Sequence, residues 1–212
     1  MSLLLTFITS LMLGMRHATD SDHVVAVTAI ASRERSVAKA AWLGALWGFG
    51  HTLTLLLAGG AIILFRVTFT PRIGLSMEFA VAVMLVVLGL LNLFEVSPRA
   101  ASLSTARPFL VGVVHGLAGS AAAVLLIVPL IPDPQWAVAY LLVFGFGTVV
   151  RMTLITLSIA APSLLLASRM VGMQRSLRLA SGAVSIVFGL YLAHKVGFAD
   201  GLFSSTPSWE PR

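Results

Sequence analysis

The sequence predicts an all-α membrane protein whose six transmembrane helices form two inverted repeats of three helices each. The first observation is composition: 58% of the 212 residues are hydrophobic, only 10% are charged, and the mean hydropathy is +0.99. A soluble domain is about half apolar and about a quarter charged, so this chain has too little charge for a water-facing surface. The second is a series of apolar stretches near the roughly 20 residues that cross a bilayer. The third is a set of motifs that recurs in the second half.

Six apolar segments divide one membrane domain that covers residues 1–212. Short polar stretches separate them, among them "SRERSVAK" after the first, "SPRAASLSTAR" after the third and "PDPQ" after the fourth. The tail at 198–212, which contains "GLFSSTPSWEPR", is polar and is expected to be loose. The segments run at about 2–31, 38–65, 76–96, 108–131, 136–160 and 178–197.

Charge in the loops predicts how the segments are oriented. Cytoplasmic loops are enriched in Lys and Arg, and eight such residues fall on one side against four on the other. Both termini are therefore expected outside. The scatter of basic residues argues against a nucleic-acid partner despite the net charge of +6, and the lack of cysteine excludes disulfides and thiolate sites. The eight are Arg33, Arg35, Lys39, Arg99, Arg107, Arg169, Arg175 and Arg178, and the four are Arg66, Arg72, Lys195 and Arg212.

Three motifs recur in the same order and predict a repeat at about 2–96 and about 108–197. "LGMRHATDSDH" at Leu13 matches "VGVVHGLAGSA" at Val111, "WGFGHTLT" matches "FGFGTVVR", and "VVLGLLNLFEV" matches "IVFGLYLAHKV". The offsets are 98, 97 and 100 residues. Because each copy has three spans, the second enters the membrane from the opposite side. In inverted repeats of this kind the substrate site lies near the midplane, which predicts transport.

The first copy alone carries a dense polar motif, "RHATDSDH", within an apolar span. An Asp or Arg at the centre of a membrane costs roughly 2.5–3.5 kcal/mol, so Arg16, Asp20 and Asp22 need compensation. Imidazole with carboxylate suits Ni, Co, Zn or Cu, which favours a metal site that includes His17 and His23. Two alternatives stay open: an Arg–Asp salt bridge with packed histidines, and a proton relay.

The spacing of this motif conflicts with a straight helix. At about 100° per residue, Arg16, Asp20 and His23 share one face with His17, whereas Asp22 lies near +140°, almost opposite. Either Asp22 serves another partner, or the helix is distorted between Gly14 and Asp22. Broken helices are common at the binding sites of inverted-repeat transporters, so distortion is a plausible outcome.

The motif resembles the signature of the nickel/cobalt transporter family, His, four residues, then Asp-His, here His17, Asp22 and His23. A second family motif, Gly-His followed by Ser or Thr in the next span, is similar to "GFGHTLT" with His51 and Thr52. The chain looks like a short six-span member. The resemblance implies that His17, Asp22 and His23 handle Ni²⁺ or Co²⁺, with His51 as a nearby determinant. It also implies that the metal ion is supplied to urease or hydrogenase, or to cobalamin synthesis.

Several other polar residues are candidates for supporting roles. Asp20 is expected to be a further ligand or to pair with Arg16, and Thr52 follows the histidine of the second motif. His115, the repeat mate of His17, is either a packing histidine or a ligand. Arg151, inside the fifth span, is expected to neutralise an aspartate across the repeat interface or to reach the membrane surface.

These observations predict a secondary transporter that takes up Ni²⁺ or Co²⁺ as cargo and needs no prosthetic group. The chain is not expected to be an enzyme, because neither a His-Glu-x-x-His motif nor a P-loop occurs in it. Metal ligands bind in their deprotonated forms, so uptake is expected to fall at low pH. Two alternatives are a non-transporting membrane accessory protein and an exporter of another small solute on a related six-span fold. The partners expected are a divalent metal ion and the lipid bilayer.

Overall fold

The computed structural model describes residues 3–32, 34, 36–65, 70–94, 101–117, 131, 133–167 and 172–209. Regular secondary structure in these ranges is helical, with no β-strand, which confirms the predicted all-α class. The helices are α1 (Leu3–His17), α2 (Ser21–Ala31), α3 (Val37–Phe65), α4 (Pro71–Leu93), α5 (Ala101–Gly116), α6 (Pro134–Ala167) and α7 (Met173–His194). A short π-helical segment, Lys195–Ala199, continues α7.

Residues at the helix starts explain some of these boundaries. Pro71 opens α4, where its missing N–H costs no hydrogen bond, and Thr70 before it is extended at φ −80° and ψ 152°. Gly172, with φ 87°, precedes α7, and this left-handed conformation favours glycine. Helices α4 and α7 thus begin five residues before the predicted segments that start at 76 and 178.

Four of the described helical regions are long and apolar enough to cross a membrane: Val37–Ala61, Pro71–Leu93, Pro134–Pro162 and Arg175–Ala199. The chain is therefore a membrane protein, as its composition predicts. The first predicted span is divided into α1 and the shorter apolar helix α2. The fourth begins in α5, and its residues 118–130 lie outside the described part of the chain. The count of six spans stays a prediction.

The helices pack in pairs that place α3 and α6 at the centre. α3 packs against both α5 and α6, α1 packs against α6, and α4 packs against α7. α2 lies against α4, α6 and α7 and so joins these groups. Asn92 on α4 fixes part of this junction, since its Nδ2 donates to the carbonyl oxygen of Ala29 on α2 at 2.7 Å.

Glycines allow the closest of these approaches. A Cβ atom built on Gly14 of α1 would collide with the backbone carbonyl of Phe144, and one built on Gly112 of α5 would collide with that of Trp47. Small residues at such crossings let helix backbones meet in membrane proteins. These two glycines therefore set how near α1 and α5 come to the central pair α3 and α6.

The segment after α7 is ordered as far as Trp209, so the expectation of a loose tail is wrong for residues 200–209. The indole Nε1 of Trp209 donates to Glu78 Oε1 at 3.0 Å, and its ring covers Gly74. The guanidinium of Arg72 donates to the carbonyl oxygen of Ser204 at 3.2 Å. The tail folds back because glycine leaves a surface on α4 that a large aromatic ring can cover.

We expect Trp209→Ala to release this tail from α4. The change removes the ring that covers Gly74 and a hydrogen bond to Glu78, a typical hydrogen bond contributing about 1 kcal/mol. Limited proteolysis of the purified protein, followed by mass spectrometry, should show faster cleavage within residues 200–209. Trp42→Ala is the control, because Trp42 lies on α3 and is 59% exposed. Equal cleavage of wild type and Trp209→Ala would contradict the packed tail.

Candidate metal centre

The polar motif lies at a break between two helices. α1 ends at His17, a turn follows at 18–20, and α2 begins at Ser21. Within the turn, the Asp20 N–H donates to the carbonyl oxygen of His17 at 3.1 Å, and Asp20 itself is extended with ψ 148°. The helix is thus interrupted between Gly14 and Asp22. Such a break is required if His17, Asp22 and His23 face the same ion, because a straight helix cannot direct all three to one point.

The break brings His17 next to His51 of α3. Their Nε2 atoms are 3.1 Å apart, and the ring of His23 lies 4.6 Å from His17 and 5.4 Å from His51. His23 and His51 are fully buried, and His17 is 7% exposed. Three imidazoles from three helices therefore converge inside the apolar part of the molecule.

The same break turns Asp22 towards α5. Its Oδ2 is 2.9 Å from Nε2 of His115, and its Oδ1 is 3.3 Å from Nδ1 of His23. The rings of His23 and His115 are 3.9 Å apart, and His115 is fully buried. Asp22 thus meets a histidine of the predicted second repeat rather than solvent.

Among the described residues, the ligand atoms form two groups of three that share one residue. His17, His23 and His51 make one group, and Asp22, His23 and His115 make the other. In each group all ligand atoms lie within 4.8 Å of one another. Such a mixture of imidazole and carboxylate suits divalent first-row transition metals.

Unpaired nitrogen atoms support a ligand role for these side chains. Nε2 of His23, Nδ1 of His51 and Nδ1 of His115 are buried and have no hydrogen-bond partner within the described part of the chain. Buried polar atoms are normally satisfied, and an exception calls for an explanation such as an ion or a water molecule. A cation held by the cluster would give some of these nitrogens a partner.

Aromatic side chains surround the histidines. Trp47 of α3 stacks on His23, with ring centroids 5.8 Å apart, and meets His115 edge-on at 5.6 Å. Phe144 of α6 lies 5.7 Å from His17. Trp47 and Phe144 occupy matching positions of the two Gly-Phe-Gly motifs. An apolar shell of this kind controls the access of water to a metal site.

Asp20 and Arg16 do not form the predicted pair. Asp20 Oδ2 lies 3.2 Å from Nδ1 of His17, and its side chain is 40% exposed. Arg16 is exposed at the end of α1 and forms no ion pair with an acidic side chain that the structure describes. The turn at 18–20 separates the two residues from a common helical face, so His17 takes the contact with Asp20.

Two of the predicted supporting residues, Thr52 and Arg151, make no hydrogen bond or ion pair with the cluster among the described side chains. The hydroxyl of Thr52 donates to the carbonyl oxygen of Gly145 at 3.2 Å and so joins α3 to α6. Arg151 of α6 has no acidic partner among the described side chains, and its Nε is buried without a hydrogen bond. The predicted neutralisation of an aspartate by Arg151 is therefore not found.

His115 and Trp47 are the parts of the site that the sequence identifies least well. The alignment of the repeats pairs His115 with His17, but it leaves packing and ligand roles equally open. The structure places His115 in direct contact with Asp22. Trp47 carries no polar signal beyond its place in the repeated motif, and its contact with His23 is visible only in the tertiary structure.

Comparison with known proteins gives one informative match. The chain is 34% identical over 209 residues to the urease accessory protein UreH of Bacillus sp. (strain TB-90). The match covers 90% of this chain and 91% of that protein. No family model matches the chain, and no solved structure matches it. The two proteins therefore correspond over nearly their whole lengths.

Proposed function

Because this chain belongs to the nickel/cobalt transporter-like family of the urease accessory protein UreH, we propose that it is a secondary transporter that takes up Ni²⁺ or Co²⁺. The observation that carries this proposal is the buried cluster of four histidines and Asp22 at a helix break. Its composition fits a divalent transition metal, and its place among apolar helices fits a transport pathway. The chain is not an enzyme, in agreement with the accessory role named for its relative.

Reciprocal contacts support the inverted repeat that belongs to this proposal. Gly14 abuts the backbone of Phe144, and its repeat mate Gly112 abuts the backbone of Trp47, the mate of Phe144. Gly48 and Gly145, which are also mates, face Val149 and Thr52, again a matching pair. Such an exchange of equivalent contacts is what a two-fold relation between the halves would produce. The proposed transporter therefore has six spans in two copies.

The proposed mechanism follows from the chemistry of the cluster. As it passes through the cluster, the ion exchanges water ligands for the nitrogens of His17, His23 and His51 and for the carboxylate of Asp22. The break after His17 lets these groups face one region, which a continuous helix would prevent. Rocking of the repeats about the cluster then exposes the ion to the other side of the membrane.

The membrane setting of the proposal is a bacterial plasma membrane with both termini outside. The excess of Lys and Arg in the loops assigned to the cytoplasm supports this orientation. Several of those residues, among them Arg33, Arg35 and Arg99, lie outside the described part of the chain. The orientation can be tested by labelling a single cysteine introduced near either end, because the natural chain contains none.

A non-transporting accessory protein is the second candidate, and the name of the relative favours it. Such a protein could bind nickel at the same cluster without moving it across the membrane. An exporter of another solute would not need the histidines and Asp22. Measurement of transport, with variants of the cluster, separates these functions.

We expect cells that express the protein to accumulate radioactive Ni²⁺ or Co²⁺, and Asp22→Asn and His17→Ala to lower accumulation by at least about tenfold. Asp22→Asn removes the carboxylate held by His115, and His17→Ala removes a nitrogen 3.1 Å from His51. His194→Ala, at the end of α7 and beside Phe198, is the matched histidine control. Equal accumulation in wild type and both cluster variants, at matched expression, would disprove the transport site. Uptake into vesicles of known orientation determines the direction.

A further inference from the structure

We propose that the cluster contains two metal positions that share His23 and hold one ion at a time. The ion is handed from one position to the other through this residue. The first position consists of His17, His51 and His23, and the second consists of Asp22, His115 and His23. This inference rests on the proposed transport of Ni²⁺ or Co²⁺ and adds to it a sequence of binding steps.

Distances separate the two positions. Nitrogen and oxygen ligands lie about 2.0–2.2 Å from a metal such as zinc, so the ligands of one ion are within about 4.4 Å of one another. Each group approaches this limit, because its ligand atoms all lie within 4.8 Å. Among the described residues, no group of three that combines His17 or His51 with Asp22 or His115 meets the same 4.8 Å criterion. One ion can therefore be coordinated by either group, but not by both groups at the same time.

His23 is suited to take part in both positions. Its Nδ1 lies 3.3 Å from Asp22 Oδ1, on the side of the second position. Its Nε2 is buried and has no hydrogen-bond partner within the described residues. Its ring lies 3.9 Å from that of His115 and 4.6 Å from that of His17. A small rotation of one imidazole would then move an ion between the groups without its return to water.

Charge favours one ion at a time. The two groups contain four imidazoles and a single carboxylate, Asp22, whose side chain is 19% exposed. Two divalent cations this close in a buried site would repel each other strongly, since a low dielectric screens charge poorly. Occupation of one position therefore disfavours occupation of the other.

Asp20 distinguishes the two ends of this path. It contacts His17 of the first position at 3.2 Å and its side chain is 40% exposed, whereas the ligands of both positions are more deeply buried. The first position thus has a partly exposed carboxylate next to one of its ligands. An ion at this position has a second carboxylate beside it, which compensates part of its charge.

The test measures Co²⁺ binding to the purified full-length protein in detergent, by equilibrium dialysis and by visible absorption, together with Ni²⁺ uptake. The variants are His51→Gln for the first position and His115→Gln for the second. At residue 115 glutamine keeps an amide N–H that can donate to Asp22. At both residues it is a polar side chain but a weak metal ligand, so we expect both variants to fold. His194→Gln is the control, because this histidine lies outside the cluster.

We expect one Co²⁺ per chain in wild type and in each single variant, with affinities within about tenfold of wild type. The spectra of the two variants should differ from each other, since different ligand sets remain. Uptake should fall by more than about tenfold in both, because the hand-over is blocked. The double variant should bind Co²⁺ at least about tenfold more weakly than either single variant.

Several outcomes would overturn the two positions while leaving transport intact. Loss of all Co²⁺ binding in each single variant would indicate one site that needs every ligand, and identical spectra would indicate the same. Two Co²⁺ per wild-type chain would contradict alternate occupation, and unchanged uptake in His115→Gln would exclude the second position. Failure of the proposed function looks different, since wild type itself would then not transport Ni²⁺ or Co²⁺.

Discussion

Replacement of His23 by glutamine is expected to lower Ni²⁺ or Co²⁺ uptake by about 100-fold or more, the largest effect of any single change in the cluster. His23 is the one residue that belongs to both ligand groups, so no intact group remains without it. It is fully buried and stacks on Trp47, which fixes its ring between the two groups. The measurement is accumulation of the radioactive metal in cells at matched expression.

His194→Gln makes the same chemical change outside the cluster and should retain wild-type uptake. Size-exclusion chromatography of both variants in detergent checks that each is folded. If folded His23→Gln protein accumulated metal like wild type, neither ligand group could be part of the pathway. The variant therefore tests the cluster as a whole rather than one of its parts.

Gly112→Ala is expected to destabilise the protein and to abolish uptake, although the change adds a single methyl group. The new Cβ would collide with the backbone carbonyl of Trp47 and lie 2.9 Å from the backbone nitrogen of His51. Backbone atoms cannot rotate away as a side chain can, so α5 must move from α3. Overpacking of this kind costs typically about 1–3 kcal/mol. The displacement would also carry His115 away from Asp22, which lie 2.9 Å apart in the native structure.

Gly60→Ala is the matched control, because Gly60 lies on α3, the helix that Gly112 of α5 faces, and a Cβ at Gly60 would meet nothing within 4 Å. Thermal unfolding followed by the loss of the monodisperse peak in detergent measures stability, and metal uptake measures function. We expect a lower midpoint for Gly112→Ala and a wild-type midpoint for Gly60→Ala. Equal midpoints and uptake for the two variants would show that the close approach of α5 and α3 is not required.

Much of the cluster can be identified from the sequence. The spacing of His17, Asp22 and His23 shows that a straight helix cannot aim them at one point, and the break at 18–20 has the expected location. This inference succeeds because the geometry of an α-helix is fixed at about 100° per residue. The resemblance to the nickel/cobalt transporters adds His51, which the structure places 3.1 Å from His17.

Other parts of the site depend on contacts between distant segments. The pairing of Asp22 with His115 joins residues 93 positions apart, and the spacing within a helix says nothing about such a pair. The predicted pair of Asp20 and Arg16 is wrong for a related reason. The two residues share a face only on a continuous helix, and the helix is broken between them. The ordered tail is missed because "GLFSSTPSWEPR" is polar on average, whereas its stability comes from one Trp209 ring on Gly74.

The sequence by itself determined the membrane environment, the helical class and the need for a break in the motif helix. Low charge, apolar length and helical periodicity are local properties, and they do not depend on how the helices meet. The tertiary structure alone decided which histidine Asp22 meets, how the ligands divide into two groups, and where Trp47 packs. Those outcomes depend on where glycines such as Gly14 and Gly112 let helices approach, because a distance between helices is fixed by packing and not by spacing along the chain.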